Sequence, residues 1–362
     1  MNVAILGLGT VGKGVYDILQ DHPDVHVSYI LERNSELLSE LPDIVADSFD
    51  TILSDPTVDV IIELIGGTTV AYDMIRQALM HQKHVVTANK AVLSAHLSEL
   101  TTLAQEHGVH LLFEASVGGA IIVLDPLKGI ARVNQIHHIK GIVNGATNYV
   151  LTRIYQDDLS LEEAIDEAFE QGYLETGTTD DMDGLDALRK IHLLSSIAYQ
   201  SYLDPNDVIR TPLSSLTETF HYHVKTSGYI IKYLAQSTCI ENTVTMSVMP
   251  VILSKQHQYD NIQYEWNAID VYGKYHERQR FEGQGAGRYP TASAVVYDLM
   301  SIRDNTVHQA AFSNVLQSNP NLEQHRYLIQ REDGFHLTEP ITITELYQSP
   351  SVICHARWEV EE

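Results

Sequence analysis

The chain has 362 residues, 44% of them hydrophobic, enough for two globular domains and a small third. Its formal net charge is −25 and no basic cluster interrupts the acidity, which disfavours nucleic acid or an anionic membrane surface as a partner. Its two cysteines, Cys239 and Cys354, form no metal-binding spacing, and no apolar run approaches the ~18–20 residues of a membrane span.

The N-terminus enters a strand at once, Asn2–Gly7, with no basic leader segment, so a cytoplasmic location is expected. A helix follows over Val11–Gln20 with Val15, Ile18 and Leu19 inward, then a strand over Val25–Leu31. Val58–Ile65 reads as a buried strand between an Asp55-Pro56 turn and Gly66-Gly67. Tyr72–Gln82 is helical, His84–Thr87 a strand, Leu93–His107 a helix and His110–Phe113 a strand. Strands alternating with helices imply an α/β domain with a doubly wound parallel sheet.

The pattern changes after Pro126. Ile136–Val143, Thr243–Ile252, Ala268–Tyr272 and His276–Glu282 read as longer, partly polar strands. Helices are expected over Asn148–Gln156, Leu161–Gln171, Leu185–Tyr199, Val224–Gln236 and 291–303, giving a second domain of α+β type. The tail contains strand-like Tyr327–Gln330 and Ile341–Glu345.

Gly7-Leu8-Gly9-Thr10-Val11-Gly12 fits G-x-G-x-x-G between a strand and a helix, the context in which these glycines have a dinucleotide-binding mechanism. The first makes the turn, the second admits a pyrophosphate and the third packs helix on strand, while the helix N-terminus faces the phosphates. At the end of the second strand, Glu32 suits the ribose 2′-hydroxyl of NAD and Arg33 the 2′-phosphate of NADP. Both cofactors remain open.

Residues 172–190 place Glu175, Asp180, Asp181, Asp183 and Asp186 ahead of Lys190. On a helix, Asp186 and Lys190 share one face; such a pair suits proton transfer to a small polar substrate, and the carboxylates nearby suit one carrying an ammonium group. The same residues also fit a solvated helix start, because i,i+4 pairs and acidic caps are common on surfaces.

Further strings fall in order along the chain: Glu63-Leu64-Ile65-Gly66-Gly67, Val85-Val86-Thr87-Ala88-Asn89-Lys90, Glu114-Ala115-Ser116-Val117-Gly118-Gly119 and Gly141-Ile142-Val143-Asn144-Gly145-Ala146-Thr147-Asn148-Tyr149. With residues 172–190 and Gly285-Ala286-Gly287-Arg288-Tyr289-Pro290-Thr291-Ala292-Ser293-Ala294-Val295, they closely resemble homoserine dehydrogenase over residues 1–305. The resemblance implies NAD(P)-dependent interconversion of L-homoserine and L-aspartate 4-semialdehyde, on the route to threonine and methionine. It implies a Rossmann-type domain of residues 1–125 plus 285–305, a substrate and dimerisation domain of residues 126–284, and a homodimer or homotetramer. The family's proton-donating lysine falls on Lys190, oriented by Asp186, and its second lysine on Lys90. Glu175 falls where the substrate ammonium is read, joined in the substrate site by Asp181, Tyr173, Asn144 and Gly145. Cofactor positions fall on Gly7, Gly9, Thr10, Val11, Gly12, Glu32, Arg33, Gly66, Thr68, Lys90 and Gly285. A monovalent cation, Na⁺ or K⁺, would be held mainly by backbone carbonyls around Glu114, Val117, Gly119 and Ile121.

The chain departs from the family pattern at Gly177-Thr178, where an Asp-Pro turn is usual, at Ile122 in place of proline and at Ala146 in place of threonine. Many relatives also end in a regulatory ACT domain. Residues 306–362 are shorter and are expected to be a reduced C-terminal appendage at an oligomer interface, without an intact effector site. Two other readings stay open: a reductase of a related amino-acid aldehyde, and a dinucleotide-binding regulatory paralogue with little turnover. An acylating semialdehyde dehydrogenase is disfavoured, because neither cysteine lies in a nucleophile context.

Overall fold

The computed structural model describes residues 1–34, 44–174 and 177–360, in two compact units. The first comprises Met1–Gly129 and Ala286–Ala310. Its sheet is built from β1 (Asn2–Leu6), β2 (His26–Leu31), β3 (Val60–Glu63), β4 (His84–Thr87) and β5 (Leu111–Leu112), all parallel, in the order β2-β1-β3-β4-β5. β3 is fully buried, as its unbroken apolar run requires of a strand covered on both faces. Sequence order reverses beside β1, so β2 and β3 flank it, and the crevice at their carboxyl ends is the topological switch point. The helix Arg288–Arg303 returns to this unit, placing Ala292, Val295 and Leu299 in one core with Val3, Ile5, Val15 and Leu19.

The second unit comprises Ile130–Gly285 and 311–362, described to residue 360. Its strands are β6 (Ile136–Ile142), β7 (Val208–Arg210), β8 (Tyr229–Ile240), β9 (Thr243–Ser254), β10 (Trp266–Gly273), β11 (His276–Gln284), β12 (Gln317–Ser318), β13 (Arg326–Arg331), β14 (Gly334–Leu337) and β15 (Cys354–Trp358). The main path runs β11-β10-β6-β8-β9-β15-β13-β14, with β7 and β12 also pairing with β9. In the tail, residues 306–310 join the first unit and 311–360 the second, where β15 pairs in parallel with β9. Backbone hydrogen bonding along β9 extends the sheet into the tail.

Two expected elements change type. Val224–Gln236 is not one helix: a helix ends at Thr226, Gly228 turns at φ +86°, and β8 begins at Tyr229. Ile341–Glu345 is not a strand either; Thr342 and Glu345 form a reciprocal capping box that starts the helix Ile343–Gln348.

Candidate active site

The first unit presents a cavity of about 430 Å³ at its switch point, lined by Gly7 and Gly9, by Glu32 and Arg33, and by residues 64–70. The glycines explain the loop that borders it. A Cβ on Gly7, whose φ is +93°, would lie 2.7 Å from the Leu64 carbonyl oxygen, and one on Gly12 would collide with the Gly7 carbonyl. A Cβ on Gly9 would meet no protein atom within 4 Å, leaving open the approach a pyrophosphate needs. Gly9 precedes the helix Thr10–Leu19, so Thr10, Val11 and Gly12 carry its first N–H groups.

Glu32 is tied into the loop rather than loose at its rim. Its Oε2 accepts from Leu8 N at 2.7 Å, and its Oε1 from Arg33 N at 2.7 Å and Asn34 N at 3.0 Å. Burial works to raise its pKa, but the backbone donors of Asn34, Leu8 and Arg33 prevail and hold the carboxyl below its ordinary value. Arg33 is exposed beside it. These residues fit a dinucleotide.

The sequence marks Gly66 and Thr68 but not what holds them. Buried Glu63 ends β3, and its Oε1 accepts from Ile65 N at 2.9 Å and Gly66 N at 3.3 Å. Its Oε2 accepts from Thr87 Oγ1 at 2.7 Å; Asn89 N donates to that same hydroxyl, and Asn89 Nδ2 donates to the Gly67 carbonyl at 2.8 Å. Burial raises the Glu63 pKa against these bonds. The available signal was a lone carboxylate closing an apolar strand before two glycines. Thr68 precedes the helix Thr69–Met80, and half-buried Lys90 opens the helix Lys90–Glu106, whose cap is Asn89.

Glu114 is also committed to the chain. Its Oε1 accepts from Val123 N at 2.6 Å and Leu124 N at 2.7 Å, and its Oε2 from Asp125 N at 2.8 Å, capping the helix Leu124–Ala131. Burial raises its pKa, and buried Asp298 accepts from its backbone N–H at 2.8 Å. Val117, Gly119 and Ile121 lie in the turns just after it. Among the described residues no group of three or more His, Cys, Asp or Glu is placed to hold a metal, so a cation here would depend on carbonyl oxygens.

In the second unit, Asp186 and Lys190 lie in the first two turns of the helix Leu185–Ala198. Lys190 Nζ stands 2.9 Å from Asp186 Oδ2 and donates to the Val143 carbonyl at 2.7 Å. Asn144 joins the pair to the preceding acidic turn: its Nδ2 donates to Asp186 Oδ2 at 2.8 Å and to Asp181 Oδ1 at 2.7 Å. Its Oδ1 accepts from Thr147 N at 2.8 Å, capping the helix Gly145–Tyr155. The structure therefore brings Lys190, Asp186, Asp181, Asn144 and Gly145 together. The part played by the Val143 carbonyl carried no sequence signal beyond adjacency to Asn144.

Tyr173 is half-buried, with its ring 4.5 Å from that of Tyr149. Glu175 lies outside the described residues. Gly285 ends the second unit just past β11, packed against the buried side chain of Asn267. Asp180 pairs with Arg189 at 2.6 Å and Asp183 accepts from Ser214 Oγ at 2.8 Å, so both brace the turn.

Comparison with known proteins adds identity to this geometry. The homoserine dehydrogenase family model matches residues 123–300, and the model of the homoserine dehydrogenase NAD-binding domain matches residues 7–114. A homoserine dehydrogenase of Bacillus subtilis is 36% identical over 317 residues, covering 84% of this chain and 73% of that protein. The chain belongs to the homoserine dehydrogenase family. A Synechocystis homoserine dehydrogenase is 34% identical, covering 83% of this chain and 73% of its own length. The solved homoserine dehydrogenase of Thiobacillus denitrificans superposes with a TM-score of 0.89 at 26% identity, over 99% of this chain and 98% of that one. That of S. aureus gives 0.80 at 28% identity, with the same coverage. The activity is that of a homoserine dehydrogenase, an oxidoreductase with an NAD-binding domain.

Proposed function

We propose that this chain interconverts L-homoserine and L-aspartate 4-semialdehyde with the roles divided between its two units. The observation that carries the proposal is the buried Lys190 ammonium, held between the Asp186 carboxylate and the Val143 carbonyl. When bound, the nicotinamide cofactor supplies or accepts the hydride at the substrate carbon.

Lys190 gives a proton to the oxygen of the aldehyde as it becomes an alcohol, and takes one in the oxidative direction. Its positive charge also favours the negative charge that develops on that oxygen. Asp186 and the Val143 carbonyl hold the ammonium in place, while Asn144 fixes Asp186 and Asp181. Glu175 reads the substrate ammonium, and Tyr173 and Gly145 border the same site. Lys90 is a second cation for the developing charge. Gly7, Gly9, Thr10, Val11, Gly12, Gly66, Thr68 and Gly285 hold the cofactor, with Glu32 and Arg33 meeting its adenosine ribose. Carbonyl oxygens around Glu114, Val117, Gly119 and Ile121 hold a monovalent cation, and the working form is a homodimer or homotetramer in the cytoplasm. No helix among the described residues is long and apolar enough to cross a membrane.

The direct test is oxidation of NADH and NADPH with L-aspartate 4-semialdehyde as substrate. Turnover with at least one cofactor is expected. Folded protein inactive with both would favour the regulatory paralogue.

A further inference from the structure

The second unit contains another cavity, of about 440 Å³, whose lining includes neither Lys190 nor Asp186. Its walls are two chain segments. One is residues 210–215, which run on from the end of β7; the other is residues 346–355, which run from the tail helix into β15. The lining carries one guanidinium, Arg210, and no carboxylate, in a chain of net charge −25. Thr211 adds a hydroxyl, while that of Ser215 donates to the Pro212 carbonyl at 2.6 Å; burial pulls the His355 pKa down to about 4, so that imidazole is neutral near pH 7. A guanidinium fork with a hydroxyl beside it suits a carboxylate or phosphate group.

The first wall is also the brace of the turn that leads into the site helix. Arg210 Nη1 donates to the Asp183 carbonyl, Ser214 Oγ to Asp183 Oδ1 at 2.8 Å, and Leu213 N to the Met182 carbonyl at 2.8 Å. Tyr233 Oη donates to the Thr211 carbonyl at 2.9 Å and packs against Gly184, the residue before the helix that carries Asp186 and Lys190. The second wall meets the same brace: Thr211 Oγ1 lies 3.2 Å from His355 Nε2 and 3.3 Å from Tyr347 Oη. An occupant of the cavity would therefore touch both the tail and the segment that fixes residues 182–184.

We propose that this cavity is a regulatory site for a small organic anion, a carboxylate or a phosphate monoester, held by Arg210 and Thr211. Occupancy acts on the 182–184 turn and through it on the Asp186–Lys190 pair. The coupling rests on the reading of that pair as the working site; the binding does not. Coupling of this kind requires that the anion prefer one arrangement of the turn over another.

Binding is read first, without catalysis, by thermal unfolding of the full chain titrated with inorganic phosphate and separately with lactate, at constant ionic strength set by chloride. The expected result is a saturable rise in Tm with one of the two, which also tells phosphate from carboxylate. That rise should vanish in Val352→Trp, whose indole fills the cavity, and need at least ~10-fold more anion in Arg210→Met, which lacks the charged donors. If Arg210→Met fails to fold, Val352→Trp alone decides. No saturable shift with either anion, or an equal shift in Val352→Trp, overturns the site. Initial rates with homoserine then read the coupling. A change of at least ~2-fold in kcat/KM at saturating anion, absent in Val352→Trp, supports it, as a modest coupling free energy would give. Rates unchanged at saturation overturn the coupling.

Discussion

The ammonium of Lys190 stands 2.9 Å from the carboxylate of Asp186, one helical turn earlier, and each side chain is only 9% exposed. A surface pair of this spacing would be worth little, but here removal of one partner strands a charge away from water. Asp186→Ala is therefore expected to lower the free energy of unfolding by about 3–5 kcal/mol, the cost of breaking a buried pair. Urea denaturation measures it; an unchanged midpoint would mean that the pair is effectively solvated.

Gly9 and Gly12 should separate folding from nucleotide binding. Gly9→Ala adds a Cβ that meets no protein atom, so its Tm should stay within a few degrees of wild type. Its dinucleotide affinity should fall at least ~10-fold, because the second glycine admits the pyrophosphate. Gly12→Ala drives a Cβ into the Gly7 carbonyl and should destabilise the fold itself. Fluorescence titration with NADH and NADPH, beside thermal unfolding, checks both; equal effects of the two substitutions would undo the distinction.

Cofactor choice should turn on Glu32 and Arg33. Glu32 places a carboxylate in the cavity, which favours a ribose hydroxyl and repels a 2′-phosphate. Glu32→Gln should shift the kcat/KM ratio toward NADPH. Arg33→Ala should weaken NADPH by several-fold and NADH little, as expected for loss of one exposed phosphate partner. Equal loss with both cofactors would remove Arg33 from that role.

The docked tail carries an acid-sensitive contact. Burial tends to raise the Glu359 pKa, but Lys140 and Arg357 overcome it and depress the carboxyl from 4.5 to about 2. A group depressed on folding adds stability in full above its unfolded pKa, and loses it as pH falls through the folded one. Glu359 should therefore contribute above about pH 4.5 and cease to contribute near pH 2. Glu359→Gln should flatten the pH dependence of Tm across that window. A curve parallel to wild type would contradict the pairing.

Much of this is legible in the sequence. The alternation of strand and helix through Phe113, the glycine loop and the Asp186–Lys190 spacing are local patterns, and local geometry follows from them. The failures have physical causes. Every residue from Ile230 to Thr238 is buried, so β8 lacks the two-residue alternation that would tell it from a buried helix. In the tail, the Thr342–Glu345 capping box outweighed a β-branched run. The Glu114 side chain was visible in the sequence, but its oxygens serve backbone N–H groups up to eleven residues away. Glu63 was visible as a letter, but the bonds it makes to the next loop depend on the neighbouring strand β4.

The central claim is that Lys190 moves the proton. Steady-state kcat for aspartate semialdehyde reduction, measured on wild type and Lys190→Ala with folding checked by circular dichroism, tests it most directly. A fall of at least ~100-fold in a folded variant is expected, the lower end for losing a general acid. A folded Lys190→Ala enzyme with wild-type kcat would contradict the assignment.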